Sequence, residues 1–296
     1  MSVEELESLR KKVIKKSIIA SSICITILVL SAILYLITKV ILILTIGSMI
    51  GLIIAIRIIS KVTKQFKVAF KNTFILKTLN SVFSDLVYIP EKGIEKSVIE
   101  NTNMMYMGNQ YSSNDYISGK YKTVKVETAD VDIVEVTKSS DRSYSRTVFR
   151  GRWMIFDFNK SFQANIQVCQ KGFKNAKLSN FFKKTKYKKI LLEDQKFNNN
   201  FDIYAQDEHD AFYILTPSLM EKIKYLVNNT DGRILLCFID NKLHVGIANG
   251  KDSFEYNIFK KIDEAKIIDL VGKEIMVITD FVDKLNLDNN LFRKED

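Results

Sequence analysis

IIASSICITILVLSAILYLITKVILILTIGSMIGLIIAIRII, residues 18–59, contains no acidic residue and two charges, Lys39 and Arg57. Ionised side chains are expensive in hydrocarbon, so a stretch this long and this free of charge reads as bilayer-spanning. A helix rises about 1.5 Å per residue and a bilayer core is about 30 Å thick, so one span takes about 20 residues. These 42 residues are two spans. Thr38-Lys39 divides them into residues 18–37 and 40–59, a tight helical hairpin with Lys39 at the far surface. Tyr35 falls one turn before the bend, where an amphipathic ring suits the interface. Arg57 is placed to snorkel to the near surface.

The flanks set the expected orientation. Arg10, Lys11, Lys12, Lys15 and Lys16 precede the first span, and Arg57, Lys61, Lys64, Lys67 and Lys71 close or follow the second. Positively charged flanks stay inside, so both termini are expected in the cytoplasm of a multi-pass cell-membrane protein. A signal peptide has an apolar core of about 7–15 residues and a small-residue cleavage site, neither of which this stretch shows.

The net charge of +10 is unevenly spread. Residues 1–79 carry +9, residues 80–170 are neutral, residues 171–190 carry +8 and residues 191–296 carry −7. The basicity therefore belongs to the membrane flanks and one short segment. It is not that of a nucleic-acid-coating domain, and RNA or DNA is not an expected partner. Cys24, Cys169 and Cys237 have neither disulfide-framework nor metal-ligand spacing.

Beyond the spans, Val62, Phe66, Ala69, Phe70, Thr73, Leu76, Leu79, Phe83 and Leu86 recur at helical spacing, predicting a helix over 61–87 that Pro90 ends. A shorter helix is expected over 91–102. From about Asp115 the pattern turns to strands: 120–126, 131–137, 147–158 (with Gly151 marking a bulge), 162–170, 189–193, 201–205 and 211–215. Thr216-Pro217 reads as an N-cap followed by proline at the first helical position. Residues 233–239 and 243–248 read as a hairpin turning at Asp240-Asn241, and a last helix is expected near 273–287. Short connections between consecutive strands point to antiparallel pairing. The expected class is α+β: an N-terminal transmembrane helical hairpin, then a cytoplasmic domain of antiparallel strands with flanking helices. The expected divisions are 1–17, an amphipathic lead; 18–59, the hairpin; 60–104, a helical neck; and 105–296, the α+β domain.

LLEDQKFNNNFDIYAQDEHDAFYILTPSLMEKI, residues 191–223, resembles the signature of a bacterial family known as domain of unknown function 3137. Leu192, Glu193, Asp194, Phe197, Phe201, Tyr204, Asp207, Ala211, Tyr213, Leu215, Thr216, Pro217 and Met220 fit its pattern, and Ile203 stands where valine is usual. YSSNDYISGKY (111–121), TVFRGRWMIFDFNKSF (147–162) and Ser253-Phe254-Glu255 are similar to further parts of it. The resemblance spans most of 75–257 and includes an N-terminal membrane segment. It implies no activity, cofactor or catalytic residue.

The residues offer little reaction chemistry. His209 and His244 have no ligand or triad partners in the pattern. Asp207, Glu208 and Asp210 crowd one turn without EF-hand spacing. Glu193 and Asp194, adjacent on an expected strand, would point to opposite faces. Neither a phosphate-cradling glycine loop nor a nucleophile elbow occurs. No cofactor, metal or catalytic residue is predicted, and a non-enzymatic module is favoured. The alternative is a membrane-anchored enzyme with a carboxylate-lined site drawing on Glu193, Asp194 and Asp207.

One segment is chemically distinctive: KGFKNAKLSNFFKKTKYKK, residues 171–189. Lys171, Lys174, Lys177, Lys183, Lys184, Lys186, Lys188 and Lys189 are interleaved with Phe173, Phe181, Phe182 and Tyr187. A lysine near an anionic leaflet is worth about 1 kcal/mol, and aromatics insert at headgroup level. The expected partners are the bilayer, anionic lipid headgroups through this loop, and a second membrane protein. The hairpin tether would keep even a weak surface contact occupied.

Overall fold

The computed structural model describes residues 1–139, 142–158, 165–173 and 187–288 of the 296-residue chain. The chain divides into two compact units, Met1–Thr78 with Glu255–Val271, and Leu79–Phe254 with Gly272–Asp296.

The first unit is built on two long helices. Helix α1 (Val3–Thr38) is a single run of 36 residues, so the lead expected over 1–17 is continuous with the first apolar span. Its start is fixed by a reciprocal cap. The Ser2 hydroxyl accepts from the Glu5 N–H at 3.1 Å, and the Glu5 carboxylate accepts from the Ser2 N–H at 2.9 Å. Lys39 ends the helix in the left-handed region (φ 56°), its N–H donating to the Tyr35 carbonyl at 2.7 Å. Helix α2 (Ile41–Phe70) begins two residues later, as the Thr38-Lys39 division predicts. A Cβ on Gly47 would stand 2.5 Å from the Ser31 Cβ, and one on Gly51 would touch Cys24. The small-residue face GSMIG is thus consumed within the hairpin. Both helices are long and apolar enough to cross a membrane, and their most apolar windows are only 11% and 6% buried among the described residues.

The returning segment of this unit grips the base of the hairpin. Arg10 donates to Glu7 at 2.7 Å and to the Ile258 carbonyl at 2.8 Å. Glu255 pairs with Lys67 at 2.9 Å and Lys71 at 3.8 Å, and Phe70 stacks on Tyr256 at 5.0 Å. Leu6 and Val13 on α1 and Val62, Phe66 and Phe70 on α2 are buried.

After α2 the helix widens into a π-helical turn, Lys71–Ile75, and closes as α3 (Leu76–Asn80). Here the expected neck departs from the structure. The helical periodicity continues in phase through Phe83 and Leu86, but Ser84–Ile89 forms strand β1 and joins the sheet. Ser81, Ser84 and Asp85 break the helix, and Asp85 takes φ 51°. Only Lys96–Glu100 of the expected second neck helix is helical (α4).

The second unit is an antiparallel sheet with flanking helices, so the class is α+β. Its strands among the described residues are β1, β2 (Gln110–Tyr121), β3 (Val124–Lys138), β4 (Ser143–Asp157), β5 (Ile166–Gln170), β6 (Lys188–Ile190), β7 (Phe201–Ala205), β8 (Arg233–Ile239) and β9 (Lys242–Ala248). They lie in the order β1-β2-β3-β4-β9-β8-β5-β7-β6. One face buries Trp153, Phe149, Val131, Ile133, Leu235 and Cys237 beneath Met104, Met105 and Met107 of the β1–β2 connection. Helices α5 (Gln195–Asn200), α6 (Glu208–Ile214), α7 (Pro217–Asn229) and α8 (Glu264–Leu285) complete the chain. The Gly272–Leu285 part of α8 belongs to this unit, and Phe281 stacks on Phe156 of the opposite sheet face.

Several expected elements shift. The β2–β3 turn falls at Lys122-Thr123, inside an expected strand, with Lys122 at φ 54°. Residues 211–215, apolar enough to read as a strand, lie largely in α6, because the Asp207 carboxylate accepts from the His209 and Asp210 N–H groups and starts a helix there. The β3–β4 irregularity lies between Thr147 and Phe149, not at Gly151. Gly151 serves close approach instead: at φ 149°, a Cβ there would stand 2.0 Å from the Ile247 carbonyl oxygen.

Candidate functional site

The sheet face that carries Phe156 also carries a cluster of buried charge. Asp130 on β3 and Arg152 on β4 are direct cross-strand partners, so both side chains emerge on this face. Asp115 is delivered by the irregularity in β2 between Asn114 and Ile117, where its own φ is 56°. Asp252 lies just after β9. One carboxylate oxygen from each of Asp115, Asp130 and Asp252 lies within 4.8 Å of the others. Asp115, Asp130 and Arg152 are no more than 3% exposed.

Each buried group has partners. Asp130 accepts from Arg152 Nε at 3.2 Å and from the Ser253 N–H at 2.7 Å. Asp115 accepts from the Tyr88 hydroxyl at 2.6 Å and the Asn114 amide at 2.9 Å. Arg152 lies over the Phe254 ring at 4.5 Å and pairs with Glu274 at 4.0 Å. Burial pushes the Asp130 carboxyl up to about 7; Arg152 opposes that push and Asp115 and Asp252 add to it. Burial, reinforced by Asp115, lifts the Tyr88 phenol far above its ordinary range.

The cluster gathers three carboxylates, one of which, Asp130, is paired with the Arg152 guanidinium. Both oxygens of Asp115 and of Asp130 already accept hydrogen bonds, and Arg152 supplies the positive charge an acidic cluster would otherwise seek. The network ties β1, β2, β3 and β4 to the 252–254 segment and to α8.

The carboxylates singled out in the sequence do other work. Asp194 caps α5, accepting from the Phe197 N–H at 3.0 Å, and pairs with Lys224 at 2.9 Å. Asp207 caps α6, and Glu193 is exposed. The three form no carboxylate grouping among the described residues. His209 is the second residue of α6. His244 is buried in β9, where Trp153 Nε1 donates to its Nδ1 at 3.4 Å; burial lowers its imidazole to about 4. Trp153 is fully buried in the core.

Of the basic segment, Lys174, Lys177, Phe181, Phe182, Lys183, Lys184 and Lys186 lie outside the described residues. Tyr187, expected at a membrane surface, is buried instead. Lys189 is on β6 and pairs with Asp202 at 2.7 Å. Lys188 is exposed beside it. Lys171 is exposed at the end of β5, on the rim of a depression of about 190 Å³ lined also by Gln170, Asn199, Asn200, Lys224 and Asn228.

Asp130, Asp252 and Tyr88 carried no signal that singled them out. Asp115, Arg152, Ser253 and Phe254 lie inside three of the stretches that carry the family resemblance, and those stretches meet here. The model of the family described as "Protein of unknown function (DUF3137)" matches residues 147–287. No curated protein matches the chain. Among solved structures, the crystal structure of the mycobacterial trehalose monomycolate transport factor A, TtfA, is similar at 8% identity and a TM-score of 0.38, over 68% of this chain and 88% of that one.

Proposed function

We propose that this chain, whose residues 147–287 match the DUF3137 family model, is an integral membrane protein that presents a cytoplasmic, non-enzymatic binding module. One observation carries the reading: two helices of spanning length whose apolar windows are little buried among the described residues. The absence of acid between Ser17 and Ser60 and the basic residues on both flanks support a multi-pass hairpin with both termini inside. After lysis, the protein stays in the membrane pellet through alkaline carbonate and high salt, and detergent releases it. Release by carbonate alone would refute the anchor.

The module docks on anionic lipid through the basic segment 171–189. The segment carries eight lysines and no acid of its own, and the surface potential of an anionic leaflet attracts them, Lys189 least because it pairs with Asp202. A second membrane protein is the further partner this location favours. The full chain in nanodiscs, with these eight lysines changed to glutamine, is expected to lose contact with phosphatidylglycerol, read as loss of headgroup-probe quenching. Equal quenching by both forms would remove the segment from the reading.

A further inference from the structure

The depression beside Lys171 is lined by the exposed side chains of Asn199, Asn200 and Asn228, by Gln170 and Lys224, which are already bonded, and by the apolar Phe201 and Val227. Lys171 is pinned by its backbone: its N–H donates to the Asn200 carbonyl at 2.8 Å, and its carbonyl accepts from Arg233 Nη1 at 2.6 Å. Gly172, at φ 84°, completes the turn. The Lys171 ammonium makes no ion pair among the described residues. Nor do the side-chain amides of Asn199, Asn200 and Asn228 make a hydrogen bond there. Asn228 sits four residues after Lys224 on α7, so both face the depression, and Lys224 is already held by Asp194 and by Glu221 at 2.6 Å.

This lining selects a chemistry. An amide offers a donor and an acceptor together, as a hydroxyl does, so three free amides match neighbouring hydroxyls. One free ammonium matches one anionic group. A volume of about 190 Å³ is below the roughly 300–1,000 Å³ of drug-sized sites, so the occupant is small. We propose that this depression binds a phosphorylated polyol, with Lys171 on the phosphate and Asn199, Asn200 and Asn228 on the hydroxyls. The same chemistry is offered by a phospholipid headgroup and by a free polyol phosphate; only the lipid source rests on the membrane reading above.

The full chain in phosphatidylcholine nanodiscs is titrated calorimetrically with glycerol 3-phosphate, inositol 1-phosphate and inorganic phosphate. Saturable binding of a polyol phosphate is expected, with inorganic phosphate weaker. A hydrogen bond to a charged group corresponds to about tenfold or more in affinity and a neutral one to about fivefold, so Lys171→Gln should weaken binding by about tenfold or more and Asn228→Ala by about fivefold, each at unchanged thermal stability. No saturable binding of either polyol phosphate, equal binding of inorganic phosphate, or wild-type affinity in both variants would overturn the site. Phosphatidylglycerol in the nanodisc then separates the sources: competition with the soluble probe assigns the pocket to the headgroup, and its absence assigns it to the free ligand. Extraction of the chain by carbonate would refute the anchor and leave the soluble titration standing.

Discussion

Asp130 and His244 are buried in the same unit and are pushed in opposite directions. Asp130, raised from 3.8 to about 7, keeps its proton in the folded chain after the unfolded chain has lost it. Its contribution to stability is complete below about pH 4 and is lost as pH rises through 7. His244, lowered from 6.5 to about 4, stays neutral where the unfolded chain is protonated, so its contribution is present above pH 6.5 and lost as pH falls through 4. Two measurements follow from these signs. The His244 ring resonances should report a neutral imidazole at pH 5, and a midpoint near 6.5 would contradict its burial. Arg152→Met removes the guanidinium that pairs with Asp130 and Glu274 and should cost about 3–5 kcal/mol in denaturant unfolding of the full chain in detergent, more at pH 8 than at pH 5. An equal loss at both pH values would mean that Arg152 acts by packing on Phe254 and not by charge. None of this was legible in the sequence. Asp115, Asp130 and Asp252 look like ordinary surface acids until strand register and the irregularity in β2 bring them together.

The elements that local chemistry specifies were legible, and those settled by competition between local signals were not. Thr216 caps α7, accepting from the Leu219 N–H at 3.3 Å, with Pro217 in the first turn. Asp240 and Asn241, at φ 52° and 55°, form the two-residue turn of the β8–β9 hairpin. In α6 the Asp207 cap outweighs the strand preference of Phe212, Tyr213 and Ile214. Asp207→Ala should therefore destabilise the fold by about 1 kcal/mol, and Thr216→Ala by a similar amount, each seen as a lowered Tm. The sheet gives a sharper test. Gly246 faces Trp153 directly across β4 and β9, and a Cβ there would stand 2.7 Å from the indole ring. Gly151 meets backbone, which cannot swing away as a side chain does. Gly151→Ala should cost more than Gly246→Ala, for which overpacking of about 1–3 kcal/mol is expected. The reverse order in paired thermal melts would show that β9 yields more easily than the indole.

For the molecule as a whole, the decisive quantity is where charge stands relative to the apolar hairpin. Lys39 is the one charge at the bend, against five basic residues before the first span. On the topology proposed above, that asymmetry puts Lys39 outside and Lys12 inside. Thiol labelling can read this because the native cysteines give little background. Cys169 and Cys237 are buried, and burial pushes the Cys169 thiol up to about 12 and raises the Cys237 thiol as well, so neither supplies thiolate near neutral pH. Cys24 lies inside the first apolar span, which on the proposed topology keeps it from aqueous reagent. A membrane-impermeant maleimide applied to intact cells should label Lys39→Cys and spare Lys12→Cys, and permeabilisation should expose Lys12→Cys as well. Labelling of Lys12→Cys alone in intact cells would invert the hairpin. Both sites labelled without permeabilisation would mean that the two helices do not span, and a basic segment meeting an inner leaflet would lose its premise.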